Sequence, residues 1–83
     1  MAYQFRDTAH IEKRGRERGF SIEQAMLAIN EPASILKTPV RRGNHSGFIW
    51  LFSRAFESKV LVIVAEIKGN ECWIITGYWE ERI

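Results

Sequence analysis

Ile22, Ala25, Met26 and Ile29 fall at i, i+3, i+4 and i+7, and so draw one apolar stripe along a helix. Ser21 with Gln24 three positions later is the pairing of a capping box, which fixes the start of this helix. Pro32 restricts the residue before it to extended backbone, so the helix ends near Asn30. An earlier helix is written more faintly. Asp7 or Thr8 can cap it, Gly19 is a natural stop after Arg18, and Ala9 and Ile11 are its apolar residues. Gly15 lowers its helical preference by up to about 1 kcal/mol relative to alanine. Tertiary contacts must therefore hold it, with Phe5 and Phe20 placed at its two ends.

Beyond Pro32 the pattern changes. From Ala33 to Ser46 the chain reads as irregular, with one short strand at Ile35–Lys37. Three strands follow: aromatic-rich Gly47–Arg54, β-branched Lys59–Lys68, and Glu71–Trp79, which combines both traits. Gly69-Asn70 is a two-residue hairpin signal between the last two. Helices first and strands afterwards predict a single α+β domain over residues 1–83. Two N-terminal helices would pack on one face of an antiparallel sheet of three to four strands.

With 83 residues there is room for one core, and a domain of this size buries only about 60% of its unfolded surface. Cys72 is the one cysteine, so no disulfide framework is available. That cysteine usage, the absence of a leader-like apolar segment, and a longest apolar run of only Val60–Ala65 predict a soluble, cytoplasmic protein with no membrane contact. The net charge of +2 is small but unevenly spread. Residues 1–45 carry +3 and residues 46–83 carry −1, and six of the eight arginines lie between Arg6 and Arg42. Guanidinium forks suit phosphate, although a solvated, salt-bridged surface accounts for the same residues.

Four groupings have chemical potential. His10, Arg14 and Arg18 recur at i, i+4 and i+8, one helix face able to meet a phosphate or to stand in solvent balanced by Glu12 and Glu17. In the last strand, strict alternation would place Cys72, Ile74, Thr76 and Tyr78 on one face and Trp73, Ile75, Gly77 and Trp79 on the other. The Thr76 and Tyr78 hydroxyls can hydrogen-bond a phosphate oxygen or a 2′-hydroxyl, or serve as ordinary strand formers. The Arg41–His45 loop, with Arg41 and Arg42, can embrace an RNA backbone or simply be polar. Phe48, Trp50 and Phe52 on one face, with Trp73 and Trp79 on another, can stack bases or fill the core, and the core is the better use in so small a domain. Glu66, the one carboxylate within a strand interior, can orient an arginine if it faces inward, with exposure the simpler expectation. No Gly-rich phosphate loop and no zinc-spaced Cys/His cluster is written in the sequence. Nothing near Cys72 marks it as an activated nucleophile.

The run His10-Ile-Glu-Lys-Arg14-Gly-Arg16-Glu-Arg18-Gly19-Phe20-Ser21, the helix to Pro32, and the closing Ile74-Ile75-Thr76-Gly77-Tyr78 together resemble the domain-of-unknown-function 4258 family. The resemblance spans Tyr3 to Trp79 and departs from the usual pattern at Gly15, where an apolar residue is commoner. It implies a RelE-like fold of the barnase/EndoU type, in which two helices cover a four-stranded antiparallel sheet. It implies a toxin-like, metal-independent ribonuclease that needs no cofactor, with RNA as partner and an antitoxin or immunity protein as possible inhibitor. The implied catalytic residues are His10, Arg14, Thr76 and Tyr78, with Arg18 an addition for substrate binding beside Arg41 and Arg42. Attack of a ribose 2′-hydroxyl on the adjacent phosphate would leave a 2′,3′-cyclic end. His10 would move protons, Arg14 would stabilise charge, and the two hydroxyls would position the phosphate. The alternatives are a non-catalytic RNA-binding or protein-interaction domain of a toxin–antitoxin-type system, and a small interaction domain that pairs through a sheet edge.

Overall fold

A computed structural model describes residues 3–81, and for residues 36–41 the backbone alone. The chain runs β1 (Gln4–Arg6), α1 (Ala9–Arg18), α2 (Ile22–Asn30), β2 (Ser34–Arg42), β3 (Phe48–Phe56), β4 (Lys59–Lys68) and β5 (Glu71–Glu81). The strands form one five-stranded sheet in the order β1-β5-β4-β3-β2. β2 through β5 make an antiparallel meander, whereas β1 lies parallel to β5, with Phe5 beside Cys72. The sheet is therefore mixed and five-stranded, which corrects the antiparallel sheet of three to four strands expected above. Two strands account for the difference. The three-residue β1 has no periodicity of its own to read. β2 extends to Arg42 through a stretch containing Pro39, which an outer strand tolerates because one side of it has no ladder to complete.

Both helices form as their punctuation dictates. The Ser21 hydroxyl accepts the Gln24 N–H at 3.0 Å, and the Gln24 side chain accepts the Ser21 N–H at 2.9 Å. Gly19 closes α1 at φ +83°, with the Gly19 and Phe20 N–H groups both donating to Gly15 O. Gly15 is no weak point here. It is buried, and a side-chain carbon at this position would strike the Phe20 carbonyl, so its absence lets the chain turn tightly from α1 towards α2.

One face of the sheet carries the core. Ile11, Phe20, Ala25, Ala28 and Ile29 from the helices meet Phe52, Leu61, Ile63, Ala65, Cys72 and Ile74 from the strands. Each large aliphatic or aromatic side chain buried there contributes about 1.5–3 kcal/mol. Trp50 and Trp79 pack against this cluster, so these aromatics serve the core.

β5 contains the irregularity that matters most for the site. Val64 pairs with Thr76 and Ala65 with Ile74, leaving Ile75 as an extra residue. The bulge reverses the alternation. Cys72 and Ile74 face the helices before it, and Gly77 and Trp79 face them after it, with Gly77 against Phe20 and Ile63. Thr76 and Tyr78 consequently share the opposite face with Trp73, so the strict alternation expected for this strand is corrected at Ile75.

Candidate functional site

α1 runs beside β5 beyond the point where β1 stops at the Arg6–Trp73 pair. Its polar stripe holds that edge. His10 Nε2 is 2.8 Å from Ile74 O, and Arg18 donates to Gly77 O at 3.1 Å. His10 Nδ1 is also 2.8 Å from Asp7 O. A neutral imidazole has one N–H, so it donates to one of these two carbonyls at a time. Arg14, between the two clasps, is exposed, and its guanidinium makes no hydrogen bond or ion pair with any described residue. Two members of the expected phosphate-facing stripe are thus occupied with backbone.

A cleft of about 410 Å³ opens where the uncovered face of the sheet meets this edge. Asp7 and His10 line it from one side, Arg42–His45 from another, and Ile49, Glu66 and Trp73–Ile75 form its floor. Ile49, Glu66 and Trp73 are neighbours across β3, β4 and β5, on the face away from the helices.

Glu66 organises this cleft. It is 2% exposed and accepts the Gly47 N–H at 2.7 Å and the His45 N–H at 2.9 Å through Oε2. Its Oε1 lies 3.2 Å from His45 Nδ1. Burial pushes the carboxyl pKa up, but these hydrogen bonds and the His45 imidazole outweigh it and hold the pKa below the usual value. The loop fits because Gly43 and Gly47 carry no side chains. A Cβ at Gly43 would collide with the Glu66 carboxylate, and one at Gly47 would lie 2.6 Å from Ile67 O. The His45 ring stacks on Trp73 with centroids 4.0 Å apart and planes 7° apart. A carboxylate on Nδ1 and an indole against one face hold the orientation of the ring, and in the neutral tautomer with Nδ1–H directed at Glu66 the lone pair is on Nε2. Arg42 lies over the Phe48 ring at 4.5 Å and donates to Ser46 O at 3.1 Å, which places its guanidinium at the rim.

Of the residues expected from sequence, His10 and Arg42 share the cleft. Arg14, Arg18, Thr76 and Tyr78 are not among its lining residues, and the side chain of Arg41 lies outside the described residues. Thr76 and Tyr78 sit on the face of β5 opposite the one that packs on the helix core. Glu66, His45 and Trp73 were missed as a unit. Their available signals were an acid interrupting Val60–Ile67 and a Gly43…Gly47 bracket around His45.

Among the described residues no group of three or more His, Cys, Asp or Glu could hold a metal ion, and no helix is long and apolar enough to cross a membrane. Cys72 is buried, and burial pushes its thiol pKa up to about 12. Comparison with family models, with curated proteins and with solved structures finds no match to this chain.

Proposed function

We propose that the cleft cleaves RNA without a metal, with His45 as the proton-transferring group and Arg42 as the phosphate contact. The observation that carries this reading is the Glu66–His45 pair: a buried carboxylate 3.2 Å from Nδ1 of an imidazole whose other nitrogen is left for substrate. Such a pairing orients the ring and stabilises the imidazolium that forms when Nε2 takes a proton.

In this reading a ribose 2′-oxygen attacks the adjacent phosphorus while its proton passes to His45 Nε2. The bond from phosphorus to the 5′ oxygen breaks, and that oxygen takes a proton from solvent at the cleft mouth. A 2′,3′-cyclic phosphate and a 5′-hydroxyl result. Arg42 offers charge-assisted hydrogen bonds to the phosphate oxygens as charge builds on them. His10 then acts mainly as a clasp between α1 and β5, a role different from the one the family resemblance implies.

The test is cleavage of single-stranded RNA in the presence of EDTA by the intact chain, His45→Ala, Arg42→Ala and Arg14→Ala, with the product ends identified. Loss of cleavage in the first two variants, with cyclic ends from the parent, supports the reading. Loss in Arg14→Ala but not in His45→Ala refutes it and returns the site to α1. The toxin-like character implied by the resemblance is tested by growth arrest on expression, relieved by His45→Ala.

A second reading, a non-catalytic RNA-binding or protein-interaction domain that pairs with an antitoxin or immunity protein, is favoured by one observation. The nine-residue β2 is the longer of the two outer strands of the sheet, and its outer edge pairs with no strand among the described residues, a template for strand addition. Harmless expression with salt-sensitive RNA binding and no cleavage would support it.

A further inference from the structure

The cleft contains a group that phosphate chemistry does not need. Asp7 lines it beside His10, in a site otherwise furnished with Arg42, His10, His45 and the buried Glu66. The residue is exposed, and its carboxylate has no hydrogen-bond or ion-pair partner among the described residues. Its backbone is held at φ +51°, in the left-handed region that Asp and Asn enter more readily than other side chains. A carboxylate repels a phosphate, so beside a phosphate-binding arginine it is suited to something that donates hydrogen bonds.

The floor supplies the context. Ile49, Trp73 and the bulged Ile75, which is 40% exposed, give the cleft an apolar side. Glu66, the other carboxylate of the cleft, is engaged by the Gly47 and His45 N–H groups and the His45 ring, which leaves Asp7 available. An apolar floor, a phosphate contact and an unengaged carboxylate describe the surroundings of one unstacked nucleotide, with the volume of a single-ligand pocket. Among the four bases, guanine alone places a ring N–H and an amino group side by side, matching the two oxygens of a carboxylate. Adenine and cytosine set an acceptor beside their amino group, and uracil sets its N–H between two acceptors.

We propose that Asp7 selects the base, binding the ring N–H and amino edge of a guanine held in the cleft, so that the substrate is single-stranded RNA read at one guanosine. This rests on the ribonuclease reading for its substrate, but it is a statement about binding and is measured separately.

The experiment has two arms. In the first, guanosine 3′-monophosphate and adenosine 3′-monophosphate are titrated into the intact chain and into Asp7→Asn, following Trp73 fluorescence and the His45 ring resonances. Asparagine tolerates the same backbone conformation and keeps the size of the side chain, so the variant folds. Guanosine monophosphate should bind the parent more tightly, and the preference should fall on the order of tenfold in Asp7→Asn, as expected for a lost bidentate contact. Equal binding of the two nucleotides by the parent, or an undiminished preference in the variant, overturns the proposal. In the second arm, four RNA substrates differing only in the base 5′ to the cleaved bond are compared, with Glu12→Gln, exposed on α1 and outside the cleft lining, as control. A guanine preference lost in Asp7→Asn and kept in Glu12→Gln supports the proposal, and a preference kept in both overturns it. If no substrate is cut while the guanine preference in binding persists and depends on Asp7, the ribonuclease reading fails and the base contact stands.

Discussion

Replacing Glu66 with glutamine changes one atom and one charge, and its consequences can be worked from the contacts. The carboxylate accepts two backbone N–H groups on Oε2 and the His45 Nδ1–H on Oε1. Glutamine offers one carbonyl oxygen, and the two backbone donors require it, so its NH2 group faces His45 Nδ1. Two donors then oppose each other. The ring resolves this by moving its proton to Nε2, the nitrogen proposed to act as base. By analogy with the loss seen when a triad carboxylate becomes an amide, turnover should fall by roughly 10³–10⁴. Hydrogen bonds to an ionised group contribute about 1.5–3 kcal/mol against about 0.5–1.5 for neutral ones. Relief from burying a charge offsets part of that difference, leaving a net loss of about 1–3 kcal/mol. An 83-residue domain has about 4–12 kcal/mol in total, so Glu66→Gln should remain folded. Urea unfolding gives the stability, nitrogen-15 spectra of His45 give the tautomer, and cyclic-phosphate yield gives the turnover. pH supplies a sign check. Because the native carboxyl sits below its ordinary value of 4.5, its contribution is full above that value and is lost as pH falls below it. The stability gap between parent and Glu66→Gln should therefore narrow in acid. A variant that keeps the Nδ1–H tautomer, or that cleaves RNA at the parent rate, would refute the reasoning.

Three other outcomes follow from particular contacts. Gly43→Ala drives a methyl group into the Glu66 carboxylate, and urea unfolding should show a loss of about 1–3 kcal/mol together with a displaced His45–Trp73 stack, visible in near-ultraviolet circular dichroism. Arg18→Ala removes the donor to Gly77 O, and about 1 kcal/mol of stability should go with it, accompanied by faster amide exchange along the outer half of β5. Cys72, buried and pushed up to about 12, should resist a thiol reagent at pH 8 in the native protein and react at once in denaturant.

The parts of this fold that local sequence can specify were legible, and the parts that depend on distant residues were not. The α2 capping box, the Gly19 stop and the Gly69-Asn70 hairpin are satisfied within a few positions, and all three appear as read. The bulge at Ile75 has no such signature. Ile-Ile-Thr is equally good strand sequence with or without a slip, yet a slip of one residue transferred Thr76 and Tyr78 to the other face. Glu66 shows the same limit for charge. Its sequence neighbours argue only that it interrupts an apolar strand, whereas its burial depends on a loop some twenty positions earlier that wraps it in N–H groups. The His10–Arg18 stripe was correctly seen as one face of α1. Its chemistry was assigned to phosphate because the competing acceptors, two carbonyls of β5, become neighbours only in the folded chain.

The pairing of β1 with β5 has a consequence for the order of events during synthesis. The Arg6 and Glu71 side chains meet across 65 positions of sequence, so β1 must wait for β5 to be made before it gains a neighbour. Until then Asp7 and His10 have no opposite wall, and the cleft does not exist in the nascent chain. At about 5–20 residues per second, synthesis of the intervening stretch takes several seconds, and for that time the growing chain lacks the cleft.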